Sequence, residues 1–265
     1  MPYSFANQLP DPNYQIGQSG GSLSGGFAGP GFASIKLTND QKMMVNRTNS
    51  QRLLARSVAA QKWKIGITYH PMTRAEFEPV YSFLLRQNGP LTPFFVSLPQ
   101  YRVPQNASWS TIVTKTFDLS GTQTPVHAND IKTAVTYAAG SRAVKLNIGK
   151  HTSAPGAHSA WAYNDSATDP NTPKPGDMVT FENHTKAYLV THVERHGDYQ
   201  LASDQPTTAQ LKIGVSPALS QSIDAGKIAT FSKPKIKVVM PQPLGDYALN
   251  TDNLYSFNLK LEEYL

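Results

Sequence analysis

Residues 62–101, KWKIGITYHPMTRAEFEPVYSFLLRQNGPLTPFFVSLPQY, predict a strand, a helix and a second strand, each with its own start and stop signals. Trp63, Ile65, Ile67 and Tyr69 alternate with Lys62, Lys64, Gly66 and Thr68. That period of two places apolar side chains on one face of a strand. His70-Pro71 ends it, because proline has no N–H for the ladder. Thr73 is a good N-cap, Glu76 completes a capping box, and Met72 can pack on Phe77 across the helix start. Phe77, Val80, Tyr81, Leu84 and Leu85 recur at helical spacing and form one apolar stripe. Gly89-Pro90 stops the helix, with glycine free to take a left-handed cap. Pro79 is the awkward residue, since a helix-interior proline costs roughly 3 kcal/mol. Either the helix proper starts near Glu78, with Pro79 in its first turn, or a short preceding turn is offset there. Pro93 to Leu98 then reads as a strand closed by Pro99.

Outward from this unit the chain reads as added sheet. Phe32–Leu37 and Gln41–Val45 are expected as short strands around a turn at Thr38-Asn39-Asp40. Asn46–Gln51 is a polar loop, and Leu53–Val58 leads into the anchoring strand, making an antiparallel meander. Thr111–Leu119, Ile131–Tyr137 and Ala143–Ile148 are further expected strands. Ile236–Met240 precedes Leu254–Leu261, where Tyr255, Phe257, Leu259 and Leu261 face one way. This last strand is expected to return and pair with Lys62–Tyr69.

Two regions differ in composition. Residues 1–31 are rich in Gly, Ser, Pro, Asn and Gln, with no Lys or Arg. They are expected as a flexible arm, either free or ordered against a neighbouring subunit. Residues 151–175 are polar and proline-rich, a linker or an extended loop. Between them and Phe231, PGDMVTF, KAYLVTHVER, Tyr199–Ala202, AQLKIGV and GKIATF give about five short strands, the pattern of a small SH3-like or OB-like barrel.

Taken together, Trp-x-Ile-x-Ile-x-Tyr, Pro-Met-Thr-x-x-Glu and Phe-x-Val-x-Leu-Pro-Gln-Tyr resemble the tail-tube-like domain of tailed-phage distal tail and baseplate hub proteins. GDMVTFENHTKAYLVT, LKIGVSPALSQSIDAG and IATF, in that order, resemble the small barrel inserted in such hubs. The fold class expected is therefore mainly β. It combines a tail-tube-like split β-barrel or sandwich with one packed α-helix and an inserted small SH3/OB-like barrel. The expected domains are the arm at 1–31, a tail-tube-like domain at 32–150 plus 236–265, the linker at 151–175 and the barrel at 176–235.

Composition narrows the chemistry. The chain has 265 residues, a net charge of +6 and no cysteine. Thiolate catalysis, disulfides and cysteine-based zinc sites are thereby excluded. No apolar run approaches a membrane span, so no membrane insertion is expected. Met1–Pro10 lacks the basic and apolar regions of a signal peptide. The positive charge fits contact with nucleic acid or ordinary solvated side chains. Walker A, HExxH, GxSxG and GxGxxG patterns are absent. His184, His192 and His196 could suggest a metal, but positions four apart on a strand lie roughly 13 Å apart. Glu182 with Glu194, or Asp198 with Asp204, could be posed as an acid/base pair on a glycan. Trp63, Trp109 and Trp161 could stack on sugars.

The expectation is thus a non-enzymatic structural virion protein with no cofactor, made in the host cytoplasm and placed in the tail. The resemblance implies a homohexameric ring that continues the tail tube. Its partners would be the tube protein and hub, wedge or fibre proteins, with DNA passing through the lumen without sequence readout. Arg47, Arg52 and Arg56 are the candidates for a lumen or subunit interface. The alternatives are a carbohydrate-binding module, a tail-associated glycan hydrolase, or another tail component such as tube, terminator or wedge.

Overall fold

The computed structural model describes residues 7–12, 29–57, 61–114, 131–148, 172–195, 198, 205–206 and 210–265. Among them 42% are in strands or bridges and 12% in α-helix, so the fold is mainly β. The chain divides into two compact units, residues 1–96 with 236–265, and residues 97–235.

The first unit is built on β4 (Lys62–Tyr69), the strand whose alternation opened the sequence reading. Trp63, Ile65, Ile67 and Tyr69 are buried. Each such apolar side chain contributes about 1.5–3 kcal/mol by leaving water. β4 is central in a five-stranded sheet together with β1 (Phe32–Asp40), β15 (Asn258–Glu263), β12 (Lys235–Val239) and β5 (Phe94–Ser97), in the order β1-β4-β15-β12-β5. The last strand does return to β4, with Leu259 opposite Ile67 and Leu261 opposite Ile65. Glu263 extends the buried series past the expected end, and its carboxylate accepts the Trp63 backbone N–H at 3.1 Å. The expected strand at Leu254–Leu261 is split, with β14 (Tyr255–Ser256) pairing instead with β13 (Ala248–Leu249).

Helix α1 (Arg74–Gln87) starts at the capping box. The Thr73 N–H and hydroxyl both donate to the Glu76 carboxylate, at 2.9 and 2.8 Å. These bonds hold the Glu76 pKa below the usual carboxylate range. The late start near Glu78 is not what forms, because Pro79 lies inside the helix. The carbonyl that loses its partner is that of Ala75, an exposed residue, so water can serve it. Asn88 rather than Gly89 takes the left-handed cap position, at φ 53°, with Gly89 following at φ 65°. Phe77, Val80, Phe83 and Leu84 are buried, whereas Leu85 points to solvent. Phe77 stacks on Tyr255 at 4.5 Å between ring centres.

Residues 7–12 are not a free arm. Leu9, Gln8 and Asp11 are buried, and the segment lies beside β5 through a parallel bridge between Gln8 and Phe95. The rest of the expected arm up to residue 28 lies outside the described residues.

The second unit is a nearly closed, barrel-like sheet of six strands in the order β11-β8-β9-β10-β7-β6. These are β6 (Lys132–Thr133), β7 (Ala143–Asn147), β8 (Met178–Phe181), β9 (Ala187–Glu194), β10 (Gln210–Ser216) and β11 (Ala229–Thr230). The expected boundary at 176 is therefore too late, since β6 and β7 belong to this sheet and β7 pairs with β10. Thr133 links the two ends. Its N–H donates to the Lys227 carbonyl at 2.9 Å, and its hydroxyl donates to the Asp224 carbonyl at 2.6 Å. The Thr111–Leu119 strand is not formed over its described part. Helix α2 (Ala107–Thr114) occupies it, capped where the Asn106 side chain accepts the Ser108 N–H at 3.0 Å. Trp109 from this helix meets Phe231 edge-on, 5.2 Å apart, inside the unit's core. Tyr199–Ala202 and most of 151–175 lie outside the described residues.

Candidate assembly interface

The meander expected from residue 32 to residue 58 divides differently. β1 pairs along its length with β4, and the last pair is Asp40 opposite Lys62. From the end of that ladder the chain makes a separate two-stranded sheet, β2 (Met43–Arg47) and β3 (Leu53–Ser57). The polar loop expected at Asn46–Gln51 is the tip of this hairpin. The tip is closely hydrogen-bonded. The Thr48 N–H donates to the Arg52 carbonyl at 3.0 Å and the Gln51 N–H to the Thr48 carbonyl at 2.9 Å. The Arg52 N–H donates to the Thr48 hydroxyl oxygen at 3.1 Å. Gln51 takes φ 64° to make the turn.

What distinguishes the hairpin is that its apolar side chains are uncovered. Met43, Met44, Val45, Leu53 and Leu54 are each between 50% and 66% exposed. The register sets Met44 opposite Arg56 and Asn46 opposite Leu54, hence on one face. Val45 opposite Ala55, and Arg47 opposite Leu53, lie with Met43 on the other. Both faces therefore carry large apolar groups. A lone two-stranded hairpin is at best marginally stable in water, and contiguous exposed apolar surface marks a contact site.

The three candidate arginines come together on this hairpin but not on one face. Arg47 and Arg56 point to opposite sides, and Arg52 sits at the tip. None has a carboxylate within ion-pair distance among the described residues. Lys62 and Lys64, which belong to the same basic run, differ. Lys62 meets Glu262 at 3.0 Å and Lys64 meets Asp40 at 2.7 Å. That bond to Lys64 lowers the Asp40 pKa and raises that of Lys64. The uncompensated charge is thus concentrated on the hairpin.

The other candidates are scattered. Glu194 is bridged by Lys212 at 3.1 Å and by His192 at 3.3 Å. Asp198 is held by Arg195 at 3.3 Å. His196 and Asp204 lie outside the described residues, as does Trp161, whereas Trp63 and Trp109 are core. No group of three His, Asp or Glu able to hold a metal occurs among the described residues. His184 stands apart. Both ring nitrogens are shielded from solvent without a hydrogen-bond partner, although the residue as a whole is only partly buried. Burial, helped by the Lys186 charge, pushes its pKa down to about 4. The hairpin was missed as a unit in sequence. Its signal was MMV and LL on either side of a short polar loop, two apolar runs with no polar alternation to give either a solvent face. No family model matches this chain, and no curated protein matches it.

Proposed function

We propose that this protein is a structural subunit of a tailed-phage tail, a distal tail or baseplate hub protein that assembles as a ring around the DNA channel. The observation that carries the proposal is the β2–β3 hairpin, with apolar groups bare on both faces and arginines that lack acidic partners. A surface of that kind is consistent with assembly, because only a neighbouring protein can cover both faces at once. The DNA channel accounts for the charge. With Arg47 and Arg56 on opposite faces, one serves the lumen and the other the subunit contact. The six-stranded unit provides a second folded body for fibre or wedge proteins. The resemblance of residues 62–101 and 176–231 to hub proteins supplies the position in the tail.

The test is negative-stain microscopy with mass by light scattering, on the parent chain and on Met44→Ser/Leu54→Ser. The proposal expects rings with a central hole from the parent and lone subunits from the variant. A parent that stays a lone subunit at every concentration and with tail-tube protein added overturns it. So does a variant that still forms rings.

A further inference from the structure

The seat of residues 7–12 is not used by the hairpin argument. The Leu9 N–H donates to the Phe95 carbonyl at 2.8 Å, and the Phe95 N–H donates to the Asn7 carbonyl at 2.7 Å. The Asn7 side-chain amide donates to the Pro93 carbonyl at 2.6 Å. Leu9 is 1% exposed. The segment thus covers the β5 edge of the five-stranded sheet, the edge opposite β1. The chain returns to the same place at Gly29, whose N–H donates to the Asp11 carbonyl at 3.2 Å. Gly29 packs so close to the Pro10 backbone that any Cβ there would overlap it.

The stretch 13–28 therefore begins and ends at one point. Seated in this way it spans no distance, and a tight turn would do the same work. Fully extended, a stretch of that length reaches up to about 50 Å. Its sequence, rich in Gly and Ser, offers no core of its own. The seat is also imperfectly matched, since Gln8 Oε1 and Tyr69 Oη are buried there or nearby without a partner. Few bonds hold the segment, and every one of them can be remade by an identical segment from another molecule.

We infer that residues 7–12 are an exchange strand, which in the assembled protein seats on β5 of a second copy of this chain. Exchange of an identical element needs no new complementary surface, because the contacts are those already present within one molecule. It goes beyond the ring proposal, since two copies suffice.

The absence of cysteine makes the test clean. Gln8 and Phe95 are bridge partners, so a cysteine at each can form a disulfide. Gln8→Cys chains are mixed with Phe95→Cys chains under mild oxidation. The exchange expects a covalent species of doubled mass in that mixture, and none above background when Phe95→Cys is replaced by the exposed Asp252→Cys. The double variant Gln8→Cys/Phe95→Cys in one chain should then give a ladder of covalent multimers. An internal disulfide alone, at every concentration, overturns the inference. So does equal cross-linking to Asp252→Cys. A second measurement needs no cysteine. Leu9→Asp, which empties the seat, should lower the assembled mass, and an unchanged mass overturns the exchange. Rings that persist with internal disulfides only overturn exchange and leave the hub proposal standing. Doubled-mass species without rings do the reverse.

Discussion

β4 and β2 are both apolar strands, and they end in opposite surroundings. In β4 every second residue is polar or small, and the strand lies between β1 and β15. One face is buried and the other is solvated. In β2 the apolar residues Met43, Met44 and Val45 are consecutive, and β3 is the partner. Alternation gives a strand a dry side and a wet side, whereas a consecutive run gives it two sides to cover. A two-stranded sheet with nothing packed on it covers neither. Apolar content alone does not distinguish a core strand from an interface strand. Its spacing, and the number of strands beside it, do.

The largest effect that would sharpen this contrast is in β4. Trp63→Ala removes a buried indole and should cost about 3–5 kcal/mol in urea unfolding. A loss below 1 kcal/mol would mean that the β4 face is not the core. Next is the buried carboxylate at the sheet's edge. Glu263→Ala strands the Trp63 N–H and should cost about 1–3 kcal/mol. The same unfolding curves would show it, and an unchanged midpoint would remove Glu263 from the account of how β4 is held.

The third prediction concerns His184 in the second unit. Its folded pKa of about 4 lies below the model value of 6.5, so the unfolded chain binds the proton more readily. Stability is thus full above pH 6.5 and falls as pH drops toward 4. After allowance for solvent screening of a partly exposed ring, the loss should be about 1–2 kcal/mol. Comparing unfolding midpoints at neutral pH and near pH 4 for the parent and His184→Gln isolates this part. Identical pH dependence in the two would assign it elsewhere. The smallest effect is expected on the hairpin. Met44→Ser/Leu54→Ser should change the stability of the lone subunit by no more than about 0.5 kcal/mol, as for other exposed positions. A large loss would show that the hairpin packs on its own subunit and would dissolve the comparison.

The elements legible in sequence were those whose signals are local. The β4 alternation, the Thr73–Glu76 box and the stop at Asn88-Gly89 lie within about thirty residues of one another and all appear in the structure. The return of β15 to β4 was also readable, because its alternation matched an unfilled face. What failed was pairing between distant segments. Nothing local to Ala143–Asn147 says that it will meet Gln210–Gly214, so the barrel boundary was drawn too late. The β-branched run at Thr111–Thr114 suggested a strand, and the Asn106 cap before it prevailed. For the candidate interface, Arg47, Arg52 and Arg56 were readable as a cluster. Their division between two faces depends on the β2–β3 register, which the polar tip sets and composition does not reveal.

The sheet order β1-β4-β15-β12-β5 also fixes a sequence of events during synthesis. β4 and β5 are made early, yet they are not neighbours, and β15 and β12 must be laid between them. At about 5–20 residues per second, the ribosome needs roughly 10–30 s to pass from residue 96 to residue 263. Over that interval the apolar face of β4 has no final partner on one side. Residues 97–235, which hold all six strands of their own sheet, are complete before the first unit can close. The nascent chain therefore finishes its middle before its beginning, and the ring-forming unit becomes competent only as the last strand emerges.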